Sequence, residues 1–185
     1  GCTATCVQLT TSILPAHHLV HWSDKVDINM ATDLVRLSCT SKGTTARASS
    51  TWKHDTRKFG PLNALNNNTE DAWKSAQSEE NDPLAYFEID FHRPVQVNEL
   101  RIQYQGGFVG MDCIVYQKSG DETSDWEECE DLFIDPIDSN EVQTFESEAD
   151  DATSDKCSAL RIEFGRSTDF YGRIVIYSLE VWGTE

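Results

Sequence analysis

Residues 85–107 read AYFEIDFHRPVQVNELRIQYQGG, and the fold turns on how they are read. Phe87, Ile89 and Phe91 alternate with Tyr86, Glu88 and Asp90, the period of two that gives a strand one apolar face. Pro94 interrupts the run, because proline cannot donate to a sheet ladder. Val95 and Val97 resume the alternation, and Leu100, Ile102 and Tyr104 continue it in the opposite parity. That one-residue change of phase predicts a bulge or turn near Asn98. Gly106 and Gly107 then close the segment as a tight hairpin, where glycine tolerates positive φ.

The same grammar runs to the end of the chain. A strand is expected in DCIVYQKSG (112–120), and another with acidic edges in DWEECEDLFIDPID (125–138), broken at Pro136. EVQTFE (141–146) alternates less cleanly, whereas Leu160, Ile162 and Phe164 share one face of ALRIEFG (159–165). In the last run Ile174 and Ile176 share a face, then Leu179 and Val181 take the other parity, so a bulge is expected around Tyr177–Ser178. A strand at the terminus persists only when paired and packed, which makes this one integral to a sheet. Ahead of these strands, residues 48–76 are rich in turn formers, with apolar anchors at Trp52, Phe59, Leu62, Leu65 and Trp73. Many short strands separated by turn clusters predict an all-β, antiparallel sandwich.

Composition bounds the function. At 185 residues and 38% hydrophobic content the chain suits one packed domain. It has no apolar run near ~18 residues, so no membrane-spanning helix is expected. Residues 121–155 hold 15 acidic side chains and no Lys or Arg, leaving −2 of the formal net charge of −17 for everything else. Such a block is expected to form solvated, partly disordered loops, with a site for a basic partner as the alternative. It disfavours direct binding to a nucleic-acid backbone, whose phosphates it repels.

Residues 1–29 stand apart from this pattern. LTTSILPAHHLV (9–20) is too polar and broken for a signal-peptide core, and Met30 opens a more regular stretch. Translation is therefore expected to begin at Met30, with 1–29 a non-native or disordered leader. Cys2, Cys6, His17 and His21 have the spacing C-x3-C-x10-H-x3-H, near a zinc-finger pattern. Residues 1–24 carry no Lys or Arg, however, so a DNA-reading finger is not expected. Cys39, Cys113, Cys129 and Cys157 are scattered without a C-x-x-C pair and read as reduced thiols. Asn67–Thr69 forms a glycosylation sequon that reads as loop.

EDAWKSA (70–76), AYFEIDFHRPVQVNELRIQYQ (85–105), ALRIEF (159–164) and GRIVIYSLEVWG (172–183) together resemble the discoidin domain, also called the coagulation factor V/VIII C-type domain. The resemblance covers roughly residues 47–183 and implies an eight-stranded, galactose-binding-like jelly roll with its last strand inside a sheet. RKFG, QYQGGF and TDFYGRIVIYSLEVWG more narrowly resemble a small intracellular branch of that family whose members bind a nuclear receptor as repressors. The chain departs from the family in its acidic insertions between 118 and 156. The expected organisation is thus a leader (1–29), a lead-in (30–46) and a jelly roll (47–185) with acidic loops at about 118–156.

The resemblance implies a non-enzymatic interaction module in the nucleus or cytoplasm, acting in transcription regulation through a protein partner such as a nuclear receptor. Its candidate contacts are the loop residues Phe108, Arg166, Asp169, Phe170, Tyr171 and Arg173, since aromatics and arginines anchor interfaces. Packing beneath the loop is the competing role for Phe170 and Tyr171. The alternative function, as in secreted relatives, is a carbohydrate- or phospholipid-binding module with Trp52 or Trp73 as a platform, though the family's matching tryptophan packs inward in place of Trp73. Catalysis is not expected: His54 and His92 are the domain's only histidines and sit in polar turns, and QGGFVG (105–110) lacks the lysine and helix of a phosphate loop. No cofactor is expected. Asn63, Asn66, Asn68 and Asp71 form a candidate calcium loop of the kind some relatives use, but neutral amides are poor ligands and Asx turns account for the run without an ion.

Overall fold

The computed structural model describes residues 33–66, 68, 70–78, 83–120, 124–149 and 156–185, all within the unit Thr32–Glu185. The expected leader (residues 1–29), with Cys2, Cys6, His17 and His21, and Asn67 and Thr69 of the sequon lie outside the described residues.

In chain order the elements are β1 (Val35–Arg36), β2 (Thr45–Ala48), the one-turn helices α1 (Thr56–Phe59) and α2 (Leu62–Leu65), β3 (Trp73–Lys74), β4 (Ala85–Tyr104), β5 (Gly110–Ser119), β6 (Glu127–Glu128), β7 (Val142–Glu146), β8 (Cys157–Ser167) and β9 (Val175–Thr184). Every strand pair is antiparallel. The front sheet runs β2–β4–β8–β5–β6. The back sheet places β9 between β4 and the short strands β1 and β3, with β7 on the far side of β4. β4 belongs to both sheets, pairing with β8 through Val95 and with β9 from Gln96 onward. This is the expected jelly-roll sandwich. The nine described segments exceed the expected eight because β1, β3 and β6 are two-residue edge pieces.

Both bulges lie where the changes of parity put them. Val97 and Glu99 face Gly183 and Trp182, so Asn98 is the extra residue in the β4–β9 register; Gln103 and Tyr104 face Ser178 and Ile176, so Tyr177 is the extra residue of the second bulge. Each bulge restores the apolar residues to the interior, so Leu100, Ile102, Tyr104, Ile176, Leu179 and Val181 are all fully buried. Trp73 anchors the core, edge-on to Phe87 at 5.1 Å and stacked on Phe164 at 6.4 Å between ring centroids. The C-terminal strand is therefore an inner strand, and Glu185 beyond it is bonded by Lys42 (2.7 Å) and Arg93 (3.0 Å). Gly183 must be glycine: a Cβ there would collide with the Gln96 carbonyl.

Four expectations need correction. Gly106–Gly107 is a tight turn, with Gly107 at φ 81° and Phe108 N–H donating to Gln105 O, but it is not a hairpin. It carries the chain from the back sheet to the front, and β4 and β5 do not pair. Residues 125–138 form a ladder only at Glu127–Glu128; beyond it Leu132, Ile134 and Pro136 point inward alternately without strand partners. The period was right and the pairing was not. Leu62 is about half exposed and anchors nothing. The 30–46 lead-in contains β1 and the start of β2, and its Ser38 accepts from Val181 N–H inside the core.

Replacing Phe87 or Phe164 with Ala should cost about 3–5 kcal/mol of unfolding free energy, whereas Leu62→Ala should stay within about 0.5 kcal/mol. Urea denaturation of the purified domain measures both.

Candidate functional site

Three backbone crossings gather loops at one pole of the sandwich. Gln105 N–H donates to Val175 O, Val175 N–H to Phe108 O, and Thr168 N–H to Val109 O. The 105–109 turn is thereby tied to both flanks of the loop between β8 and β9. Ser75 joins from the other side, its backbone N–H donating to Ile174 O while its hydroxyl accepts from Ile174 N–H at 2.8 Å.

Arg173 is the centre of this pole. Its guanidinium lies 5.0 Å from the Phe108 ring centroid, 5.4 Å from Tyr171 and 5.6 Å from Trp52. Asp169 accepts from its Nε at 2.7 Å and from its Nη2 at 2.9 Å, a bidentate pair. The same carboxylate also accepts from the backbone N–H groups of Tyr171 and Arg173. Hydrogen bonding from Arg173 holds the Asp169 carboxyl below its ordinary pKa despite partial burial, and Asp169 raises that of Arg173 in return. Ser167 completes the loop by donating to Arg173 O and accepting from Asp169 N–H. Gly172 sits at φ 71° against Ser78, where a side chain would strike the Ser78 carbonyl.

This clamp pushes two aromatic rings outward. Phe170 is 85% exposed and Tyr171 46% exposed, and the two rings touch edge to face at 5.2 Å. The structure thus brings Phe108, Asp169, Phe170, Tyr171 and Arg173 together. Phe108 is half-buried under the guanidinium and serves the stack more than the tip. Arg166 is engaged elsewhere, paired with Asp112 at 2.6 Å across β5 and β8. Trp52, Lys74 and Gln105, which no local pattern singled out for this stack, line a cavity of about 150 Å³ with Phe108 and Arg173. Trp73 is fully buried and donates its indole N–H to Ser50 O, so it offers no platform to a ligand.

The acidic block reaches the same pole. Gly106 N–H donates to Asn140 Oδ1 (2.8 Å) and Gly107 N–H to Asp138 Oδ1 (2.7 Å). The acidic side chains of residues 124–149 are all exposed, while Leu132 and Ile134 insert into the core. The block is thus solvated on its charged side and anchored on the other. Its stretches 121–123 and 150–155 lie outside the described residues.

In the candidate calcium loop, Asn66 Oδ1 accepts from Asn68 N–H and Asn68 Oδ1 from Glu70 N–H, as in Asx turns. Asn68 Nδ2 donates to Asp71 Oδ2, and Asn63 Nδ2 donates to the Lys58 and Ala72 carbonyls. Several of the oxygens are already used as turn acceptors. Cys113, half-buried, and Cys157, buried, are free thiols whose pKa values desolvation pushes up to about 12, which suppresses their reactivity.

Residues 45–174 match the F5/8 type C domain. The chain belongs to that family. It is 36% identical over 147 residues to the nuclear receptor 2C2-associated protein of Danio rerio, covering 80% of this chain and 94% of that one. The Homo sapiens protein of the same name is 34% identical over 140 residues, covering 76% and 91%. Among solved structures, this F5/8 type C domain is similar to chitosan-binding module 1 from a Paenibacillus chitosanase/glucanase, with TM-score 0.62 and 15% identity over 80% of this chain and 99% of that one. It is also similar to the family 32 carbohydrate-binding module of C. perfringens NanJ in complex with galactose, with TM-score 0.58 and 12% identity over 80% and 98%. At such identities these two structures speak for the fold alone.

Asp169→Asn should loosen the 167–173 loop, at about 1.5–3 kcal/mol for the charged hydrogen bonds removed. The pH dependence has a definite sign. A carboxylate with a depressed folded-state pKa stabilises fully above its unfolded value of about 3.9, and that contribution fades as pH falls through the folded value. The protection factors of the Tyr171 and Arg173 amides, corrected for the pH dependence of intrinsic exchange, should therefore fall on acidification in the wild type and be low already at neutral pH in the variant.

Proposed function

We propose that this domain is a non-enzymatic protein-interaction module that engages a nuclear receptor through the pole carrying Phe170 and Tyr171. The observation behind this reading is the exposed aromatic pair, held outward by a fully bonded Asp169–Arg173 clamp. Large rings on a pre-ordered loop lose little entropy on docking, and aromatic and Arg residues dominate interface energetics. The curated relatives named as nuclear receptor 2C2-associated proteins supply the class of partner. A role in transcription regulation in the nucleus or cytoplasm belongs to the same reading. Among the described residues no helix is long and apolar enough to cross a membrane. The net charge of −17 also opposes docking on anionic lipid.

A carbohydrate-binding role is the second reading, favoured by the Trp52–Phe108–Arg173 cavity on a fold shared with sugar-binding modules. At about 150 Å³ that cavity falls below the ~300 Å³ at which ligand pockets usually begin.

Purified nuclear receptor 2C2 should bind the full chain directly. The F170A/Y171A double variant should weaken that binding at least about tenfold, or ~1.4 kcal/mol, with thermal stability unchanged. Calorimetry showing full affinity in the double variant, or no binding by the wild type, rejects this surface. Saturable binding of galactose or chitotriose, with loss on Trp52→Ala, would favour the second reading. No cofactor enters either one. EDTA should accordingly leave the melting temperature unchanged, and a drop restored by calcium would assign Asn63, Asn66, Asn68 and Asp71 to an ion.

A further inference from the structure

Eight large apolar side chains are exposed among the described residues, and three of them, Phe133, Ile137 and Val142, lie between 133 and 142 in the acidic block. Two of the three stand in a regular row. Leu132, Ile134 and Pro136 are buried, so Asp131, Phe133, Asp135 and Ile137 face solvent in alternation along one extended stretch. Phe133 is 72% exposed and Ile137 68%. Successive outward residues lie about 6.6 Å apart at the rise of a strand, in the order carboxylate, ring, carboxylate, branched chain. Single exposed apolar residues need no explanation, whereas a periodic row of them marks a contact surface.

The row is held in place before any partner arrives. Asp131 O accepts from Glu148 N–H at 2.8 Å, and the Gln143 carboxamide bonds Ile137 at both its N–H (2.8 Å) and its carbonyl (3.0 Å). Leu132 and Ile134 insert into the core between those ties. The backbone groups of Phe133, Ile134 and Asp135, by contrast, make no hydrogen bond among the described residues. They are the donors and acceptors of an unpaired strand edge. Asp131 and Asp135 form no ion pair among the described residues either, and Lys25 is the only Lys or Arg outside that set. The two carboxylates are thus left for a partner to neutralise.

We propose that a basic, extended segment of a partner protein adds as a strand along residues 131–137. Strand addition supplies main-chain hydrogen bonds to 133–135, and the outward row sets the partner's sequence. A cation is favoured across from Asp131 and Asp135, and an apolar side chain across from Phe133 and Ile137. The partner strand therefore alternates Lys or Arg with branched or aromatic residues on one face, which places a cation at every fourth position. A second copy of this chain is a poor occupant, because its net charge of −17 repels the same block. Asp138 and Asn140 tie the end of the stretch to the Gly106–Gly107 turn, so the surface adjoins the aromatic pole yet uses none of its side chains. It does not rest on the receptor reading.

The test titrates the isotope-labelled full chain with a synthetic peptide repeating Lys-Thr-Val-Thr. The controls are oligolysine and the isomer repeating Lys-Val-Thr-Thr, which puts cations and apolar groups on opposite faces. Saturable amide shifts confined to 131–143, slowed exchange within 133–135 and binding at least about tenfold tighter than either control are expected. F133A/I137A and D131N/D135N should each lose about that factor without a lowered melting temperature, since all four side chains are exposed. Added salt should weaken the wild type more than D131N/D135N. F170A/Y171A should bind the peptide as the wild type does, which separates failure here from failure of the receptor reading. Equal binding of either control, shifts spread over the whole acidic block, or no binding by the wild type overturns the proposal whatever the variants do. So does a dimerisation of the wild type that F133A/I137A abolishes, which would assign the row to a second copy.

Discussion

β4 must hydrogen-bond in two sheets at once, and everything else in the domain is arranged around the bend that allows it. Up to Asp90 the strand pairs with both β2 and β8; from Gln96 it pairs with β9, and from Glu99 also with β7. Between them lie a positive-φ histidine, Pro94 and an arginine whose guanidinium reaches Glu185 at the chain terminus. Proline fits here because the ladder is already broken, and the arginine pins the turn to the end of β9 and to the segment after β1. A straight β4 would leave one sheet without its central strand.

That bend also divides the molecule into two ends of different character. At one end loops converge, and Arg173 organises them by taking aromatic rings on its faces and a carboxylate on its edge. The planar cation satisfies both neighbours at once, as an ammonium could not. Phe170 and Tyr171 are exposed because the loop spends its polar groups on itself, leaving the rings as its outermost part. At the other end the bend itself, with β2, β5 and β8, makes a hollow above Ala159 on the face of the sheet.

The acidic block illustrates why charge and disorder are separate properties. Its carboxylates are solvated, as so dense a run of like charge requires. Yet it supplies β6, β7, two buried aliphatic residues and the acceptors that cap the Gly106–Gly107 turn. Trp126 within it stacks on Arg161 at 4.4 Å, itself in contact with Tyr86 and bridged to Glu88. Alternation is what reconciles the two roles, since an extended segment can face water on one side and the core on the other.

How much of this was legible depended on the range of the cause. The strands of 85–107 and 159–183, their buried faces and both bulges could be read from the chain, because side-chain period and its interruptions are properties of adjacent residues. The loop carrying Asp169, Phe170, Tyr171 and Arg173 was visible as a segment for the same reason. The absence of a β4–β5 hairpin, the meeting of Trp52 with Arg173, the pair that takes Arg166 to Asp112 and the hollow above Ala159 were not. Those residues are distant in sequence and carry no mutual signal. They meet only because antiparallel pairing sets which strand ends share a pole, and pairing is decided by the closure of the whole sandwich over Trp73, Phe87 and Phe164.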